Sequence, residues 1–258
     1  MKPLSVVIFS KDRAAQLDLC LKSIFKNMED VICDNINIDI IYTSSTEDFE
    51  IGYKFLINEW NIDDKIRFLR ETAVGGFRGA LESSIKNWSN NVLFFTDDDI
   101  LYRNFNADNM KRAYQSLDSQ DLFCVSLRLG KNTFVQDQYR NMMCPIPEEV
   151  IAGKGETRFW NWKWQPNWSN FGYPFSVDGH IFRSSFAKDI IQHVDYYNPN
   201  SLEGKASAYV RKNMDSLPPK MCCFEKGSIV NTPLNRVQET CLSVSGVFFA
   251  GGAKELNE

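Results

Sequence analysis

Asn91-Val92-Leu93-Phe94-Phe95-Thr96-Asp97-Asp98-Asp99 runs from a short apolar stretch straight into three carboxylates. An apolar run of this kind reads as a strand buried on both faces of a parallel sheet. Three adjacent aspartates repel one another and are poor strand formers, so the strand ends at Thr96. It delivers the acids to one edge of the sheet, where a divalent cation taking hard oxygen ligands is the natural counter-charge. Alternate side chains of an extended chain share a face. On that geometry Asp97 and Asp99 converge on the ion while Asp98 points away. Taken alone, the triplet also reads as a solvated turn or a helix start.

Working back from this strand, the same alternation recurs. Ser5 to Ser10 is a short apolar strand that ends on Lys11-Asp12-Arg13, and Ala14 to Asn27 spaces Leu17, Cys20, Leu21, Ile24 and Phe25 for a helix. Ile36 to Tyr42 is a second strand ending on Thr43-Ser44-Ser45-Thr46, followed by a helix over Phe49 to Trp60 and a strand over Lys65 to Leu69. Gly75-Gly76-Phe77-Arg78-Gly79 is a loop leading into a helix over about Ala80 to Trp88. Strand and helix in turn predict an α/β fold, a mostly parallel sheet with helices on both faces. Ligands of such sheets gather beyond the carboxyl ends of the strands. Ser10 to Arg13, Ser44 and the aspartates should therefore share an edge. Arg13 and Arg78 offer guanidinium forks to a phosphate, and Asp12 an acceptor to a base or ribose.

Beyond residue 120 the pattern changes. Phe123 to Leu129 and Phe175 to Phe182 read as strands, Ser184 to His193 as a helix, and Gly227 to Asn231 as a last strand. Asp178-Gly179-His180 is a polar interruption of an apolar strand. Gly179 permits close approach of a ligand, Asp178 can accept from hydroxyls, and His180 can meet a metal or phosphate; a satisfied core histidine at a bulge is the alternative. Ser201 reads as a cap that places Glu203 in the first turn of a helix, where the dipole favours the charged carboxylate and a general base is plausible. Trp160, Trp162, Trp164, Trp168 and Tyr173 fall in one aromatic block with Asn161, Lys163, Gln165 and Asn167 between. Such faces stack on sugar rings and also make good core.

Composition narrows the class. The chain has 258 residues, 24% charged and 43% hydrophobic, with net charge −4. That balance, with no Lys/Arg run, argues against nucleic acid as a partner. No apolar stretch is long enough to span a membrane, and Met1-Lys2-Pro3-Leu4 runs into a strand without a signal-peptide pattern. Seven cysteines at irregular spacing, without a C-x-x-C pair, point to reduced thiols in a cytoplasmic protein. Two histidines exclude a multi-histidine metal centre.

Together these segments resemble the GT-A glycosyltransferases, most closely family 2-like members, from Ser5 to about Arg236. Ser5 to Arg13 is similar to the opening strand and nucleotide loop of that family, and Phe94 to Asp99 to its D-x-D motif. Val177 to Ser185 resembles the stretch that closes over the donor sugar. The resemblance implies a single GT-A domain over 1–258, Rossmann-like, with a nucleotide-sugar half at 1–120 and an acceptor half at 121–250. It implies an inverting, hexosyltransferase-type enzyme using a nucleotide sugar such as a UDP-sugar and Mn²⁺ or Mg²⁺. Asp97 would meet ribose or metal, Asp98 the donor, and Asp99 the metal; Glu203 or Asp178 would act as base. The acceptor would be a glycan or glycolipid, in bacterial surface polysaccharide synthesis. Apart from the resemblance, the apolar run Val247-Phe248-Phe249 offers a peripheral membrane contact, with core packing as the commoner use of so short a run. Three features depart from the family: Thr43 to Thr46 replaces an acidic pair, Leu202-Glu203-Gly204 replaces Glu-Asp, and no histidine lies near Asn231 or Asn235. A non-catalytic carbohydrate-binding protein, a sugar-nucleotide hydrolase and a pyrophosphorylase stay open.

Overall fold

The computed structural model describes residues 3–32, 36–60, 65–136 and 142–232. Cys33, Asn235, Cys241, Val247 to Phe249 and the tail after Gly251 lie outside the described residues, as do Met1 and Lys2. In chain order the elements are β1 (Leu4–Lys11), α1 (Ala14–Asn27), α2 (Glu29–Ile32), β2 (Ile36–Thr43), α3 (Glu47–Trp60), β3 (Ile66–Arg70), α4 (Gly76–Ile85), β4 (Asn91–Thr96), β5 (Asp99–Leu101), α5 (Ala107–Leu117), β6 (Leu122–Ser126), β7 (Val135–Gln136), β8 (Met142–Met143), α6 (Glu148–Ala152), β9 (Thr157–Asn161), β10 (His180–Arg183), α7 (Ser184–Gln192), α8 (Pro199–Lys212), β11 (Lys220–Phe224) and β12 (Ile229–Asn231).

Eight strands form one sheet in the order β3-β2-β1-β4-β10-β6-β11-β9. β1, β2, β3 and β4 pair in parallel. Their apolar runs are buried on both faces, as a sheet covered by helices requires. Val6, Ile8, Leu93 and Phe95 pack on one side with Leu17, Leu21 and Ile24 of α1. Val7, Phe9, Val92 and Phe94 pack on the other with Phe77 and Leu81 of α4.

β10 runs antiparallel to both β4 and β6. It enters from the edge where β4 ends, so Gly179 N–H meets the carbonyl of Phe94 at 2.8 Å. The strand expected from Phe175 thus begins only at His180, and the two halves of the chain share one sheet. β6, opposite to β10, ends at the same edge as β1, β2 and β4. A small ribbon, β5 with β12, places Asn231 opposite Asp99.

α5 escaped the sequence reading, although Asn106 caps it in a reciprocal capping box and Met110, Ala113, Tyr114 and Leu117 form its buried stripe. β9 lies inside the aromatic block. There Trp160 and Trp162 are core residues at 2% and 0% exposure, their indole N–H groups bonded to the carbonyls of Phe171 and Pro218. The binding wall proposed for them is corrected. The indole faces are spent on packing, and of the four tryptophans only Trp164 and Trp168 stay exposed. Among the described residues no helix is long and apolar enough to cross a membrane, and the described cysteines are free and buried.

Candidate active site

The site grows from the end of β1. Ser10 donates to Asp97 Oδ2 at 2.8 Å and contacts the Tyr53 hydroxyl at 2.6 Å, while the Arg13 N–H donates to the same tyrosine at 3.2 Å. Arg13 Nη1 donates to Asp97 Oδ1 at 3.0 Å and to Asp98 Oδ2 at 2.9 Å. Arg13, Asp97 and Asp98 are all buried. Burial raises the Asp97 carboxyl to about 7 although Arg13 beside it pulls the other way. The triplet is therefore not an extended chain with alternating faces. Asp97 and Asp98 form a tight turn and share one guanidinium, so Asp98 does not point away.

Asp99 is tied to Thr96 and, through Asn231, to Asp98. Its Oδ2 accepts from Thr96 N–H at 2.9 Å, and Asn231 Nδ2 donates to Asp98 Oδ1 at 3.0 Å and Asp99 Oδ1 at 3.2 Å. The Thr96 hydroxyl lies 2.7 Å from Asp98 Oδ1 and 3.2 Å from Asp178 Oδ1. One hydroxyl hydrogen serves only one of them at a time, so carboxylates from distant segments crowd a single donor. Asp99 is fully buried, and burial with Asp178 and Asp98 pushes its carboxyl well above the usual range.

Glu203 comes from α8. Its cap is Asn198, with Pro199 in the first turn, so Glu203 sits one turn deeper than expected. The dipole argument is corrected accordingly. Burial and the neighbouring Asp178 raise the Glu203 carboxyl to about 7. Val177 N–H donates to its Oε1 at 3.1 Å, and Ser176 also bonds to it. Tyr173 faces the same carboxylate, which together with burial pushes its phenol up.

Other expected residues serve the frame. Asp12 is left-handed at φ 57°, and its Oδ1 accepts from Ser45 N–H at 2.6 Å, tying the loops after β1 and β2 together. Lys11 donates its backbone N–H to Asp97 at 3.3 Å, and its side chain faces Glu71. Ser44 donates to Glu50 Oε2 at 2.6 Å, and Glu50 also pairs with Arg70 at 3.0 Å. Arg78 bonds Asp195 at 2.7 Å and covers the Tyr196 ring at 4.4 Å, so its charge is taken up away from the triplet. His180 is wholly buried beside Cys124 and is driven down to about 3, hence neutral; it is a core histidine, but its Nε2 has no hydrogen-bond partner among the described residues, so it is not a satisfied one. At Gly179 the backbone is left-handed, φ +70°, and a Cβ would lie 2.5 Å from Ile229 Cδ1. What approaches this glycine closely is the Ile229 side chain.

The sequence reading passed over Tyr53, Thr96 and Arg128. Arg128 follows an apolar strand that ends in a polar residue, as Arg13 does, and that pattern was available. Its charge lowers Asp178 and Glu203. Together Asp98, Asp99, Asp178 and Glu203 offer only oxygen donors, which suits a hard cation, while Asn231 presents its amide N–H group to Asp98 and Asp99. Buried carboxylates outnumber the guanidinium groups facing them, and this is the deficit a divalent cation would make good. Among the described residues no three of His, Cys, Asp and Glu form a ready-made cage. The arrangement fits a cation completed by substrate phosphates, the usual habit of Mg²⁺.

No family model matches the chain. It is 27% identical over 256 residues to the bifunctional glycosyltransferase pgtA of Dictyostelium discoideum, covering 91% of this chain and 32% of that protein. The chain thus spans about a third of the length of this curated relative. Among solved structures, S. aureus TarS 1-349 matches at TM-score 0.53 and 17% identity over 90% of this chain and 61% of its own. GalNAc-T7 with UDP, GalNAc and Mn²⁺ matches at TM-score 0.53 and 13% identity over 90% and 44%. The fold is the GT-A fold of the glycosyltransferases.

Proposed function

We propose that this protein is a glycosyltransferase that moves a sugar from a nucleotide sugar, such as a UDP-sugar, to a hydroxyl of a glycan or lipid-linked acceptor, with inversion. One observation carries the reading: the Thr96 hydroxyl draws Asp98, at the end of β4, and Asp178, before β10, to one point at the carboxyl edge. The pgtA similarity supports the class, and the UDP, GalNAc and Mn²⁺ of GalNAc-T7 support the donor chemistry.

The acceptor oxygen attacks C1 of the sugar, the bond from C1 to the diphosphate oxygen breaks with its electrons staying on the diphosphate, and Glu203 takes the acceptor proton. A carboxylate raised to about 7 suits that role near neutral pH. Asp178 holds the proton-accepting character of Glu203 by charge repulsion. Asp99 and Asp178 would hold a divalent cation, which when bound neutralises charge on the leaving diphosphate. Arg13 keeps Asp97 and Asp98 in place. The exposed Trp164 and Trp168, with Tyr173, are assigned to the acceptor side.

The test is nucleotide release from a panel of UDP- and GDP-sugars with Mg²⁺ or Mn²⁺, with and without glycan acceptors. Release that needs an acceptor, with a glycosylated product of inverted anomeric configuration, supports transfer. Release independent of acceptor means a hydrolase. Sugar binding without release or nucleotide affinity means a carbohydrate-binding protein.

A further inference from the structure

Arg128 occupies a mount at the carboxyl edge that its neighbours hold rigidly. It lies two residues past the end of β6. Leu127 N–H donates to Gly179 O at 2.8 Å, Ser228 N–H to Leu127 O at 2.6 Å, and Leu129 N–H to Ser126 Oγ at 3.0 Å. The Thr133 hydroxyl bonds the Arg128 carbonyl at 3.2 Å. Gly227 packs so closely on that carbonyl that a Cβ there would clash.

The mount adjoins Asp178, since Leu127 bonds to Gly179 and the Arg128 N lies next to that glycine, and the Arg128 charge is felt at Asp178, Glu203, Tyr173 and His180. The Arg128 Nε is buried and has no hydrogen-bond partner among the described residues. A buried donor left without a partner is unfavourable, and the fixed backbone limits how far the side chain can move to relieve it. At the same edge Arg13 already holds Asp97 and Asp98, and Arg70 pairs with Glu50. Arg128 thus brings donor capacity that the protein itself leaves unspent, beside the carboxylates where bond breaking is assigned.

We infer that Arg128 is a binding residue for the second phosphate of the donor: its fork donates to the oxygen that keeps the bonding electrons when the sugar leaves. Guanidinium matches phosphate geometry in a two-point contact, and charge-assisted bonds of this kind are the stronger class. The inference rests on the glycosyltransferase reading.

The test is calorimetry with UDP and GDP, each beside its monophosphate, in Mg²⁺ or Mn²⁺. Arg128→Gln weakens the diphosphate about tenfold to a hundredfold, while the monophosphate changes less than about threefold. Arg128→Lys, which keeps the charge and loses the fork, falls between. If Arg128→Gln does not fold, shown by loss of its melting transition, Arg128→Lys decides. Equal losses for diphosphate and monophosphate overturn the assignment. So does unchanged diphosphate affinity with weakened sugar-nucleotide affinity, which makes Arg128 a sugar contact. Wild type that binds none of the four nucleotides sinks the glycosyltransferase reading itself, a result distinct from either.

Discussion

The two sides of the site handle charge in opposite ways. On the side built from β1 and β4, carboxylate and guanidinium touch: Arg13 bridges Asp97 and Asp98 at 3.0 and 2.9 Å, and Ser10 and Tyr53 hold the ends. On the side built from β6, β10 and α8, the Arg128 charge is felt at Asp178 and Glu203 with no ion pair between them among the described residues. The first side is a finished structural joint. Both sides hold carboxyls near 7, but only the second leaves them without a guanidinium contact and leaves the Arg128 Nε without a partner among the described residues, the open state that reactive groups need. Stability should reside in the first side and turnover in the second.

The largest effect that would break this contrast is on turnover. Glu203→Gln is expected to lower kcat about 10²- to 10⁴-fold with little change in melting temperature or nucleotide affinity. In wild type, kcat should rise with pH through about 7, as Glu203 loses its proton, and the variant should lack that limb. Equal loss of folding stability and activity in Glu203→Gln would erase the distinction.

Arg13→Ala is the converse. It strands two buried carboxylates and should cost about 3–5 kcal/mol in urea unfolding. A loss under about 1 kcal/mol, the value of an exposed pair, would mean that the joint is not structural.

Gly179→Ala tests the mount between the two sides. Its left-handed backbone and the close Ile229 contact predict a loss of about 1–3 kcal/mol, measured by denaturant titration.

The smallest effect concerns pH and stability. Asp97 and Glu203 have ordinary values of 3.8 and 4.5 and are raised to about 7 in the fold. Between about pH 4 and 7 the native state keeps protons that the unfolded chain releases, so the unfolding free energy falls as pH rises through that window. Asp178→Asn removes one of the like charges that raise Glu203, so it should be neutral or stabilising at pH 7, by up to about 1 kcal/mol, and should flatten the decline. A steeper decline in that variant would show that Asp178 compensates charge on this side instead of adding to it.

Much of the scaffold was legible because it is written in local periodicity. The spacing of Leu17, Leu21 and Ile24 defines α1, and the apolar runs at Val6 and Val92 define buried strands; both depend on neighbours a few residues apart. The aromatic block was less legible, because Trp160 and Trp164 are chemically alike and only packing decides that one is core and the other exposed.

By itself, then, the sequence determined the alternation of strand and helix, and that Ser10 to Arg13, Ser44 and the aspartates lie together at the carboxyl edge of the sheet. Only the tertiary structure decided that Asp97 and Asp98 share Arg13, that β10 runs antiparallel between β4 and β6, and that the Arg128 charge is felt at Asp178 and Glu203. Those facts join residues far apart in the chain, 82 positions in the case of Thr96 and Asp178. Local patterns carry which face of an element is buried, whereas strand order and burial set which charges meet and how strongly water is withheld from them.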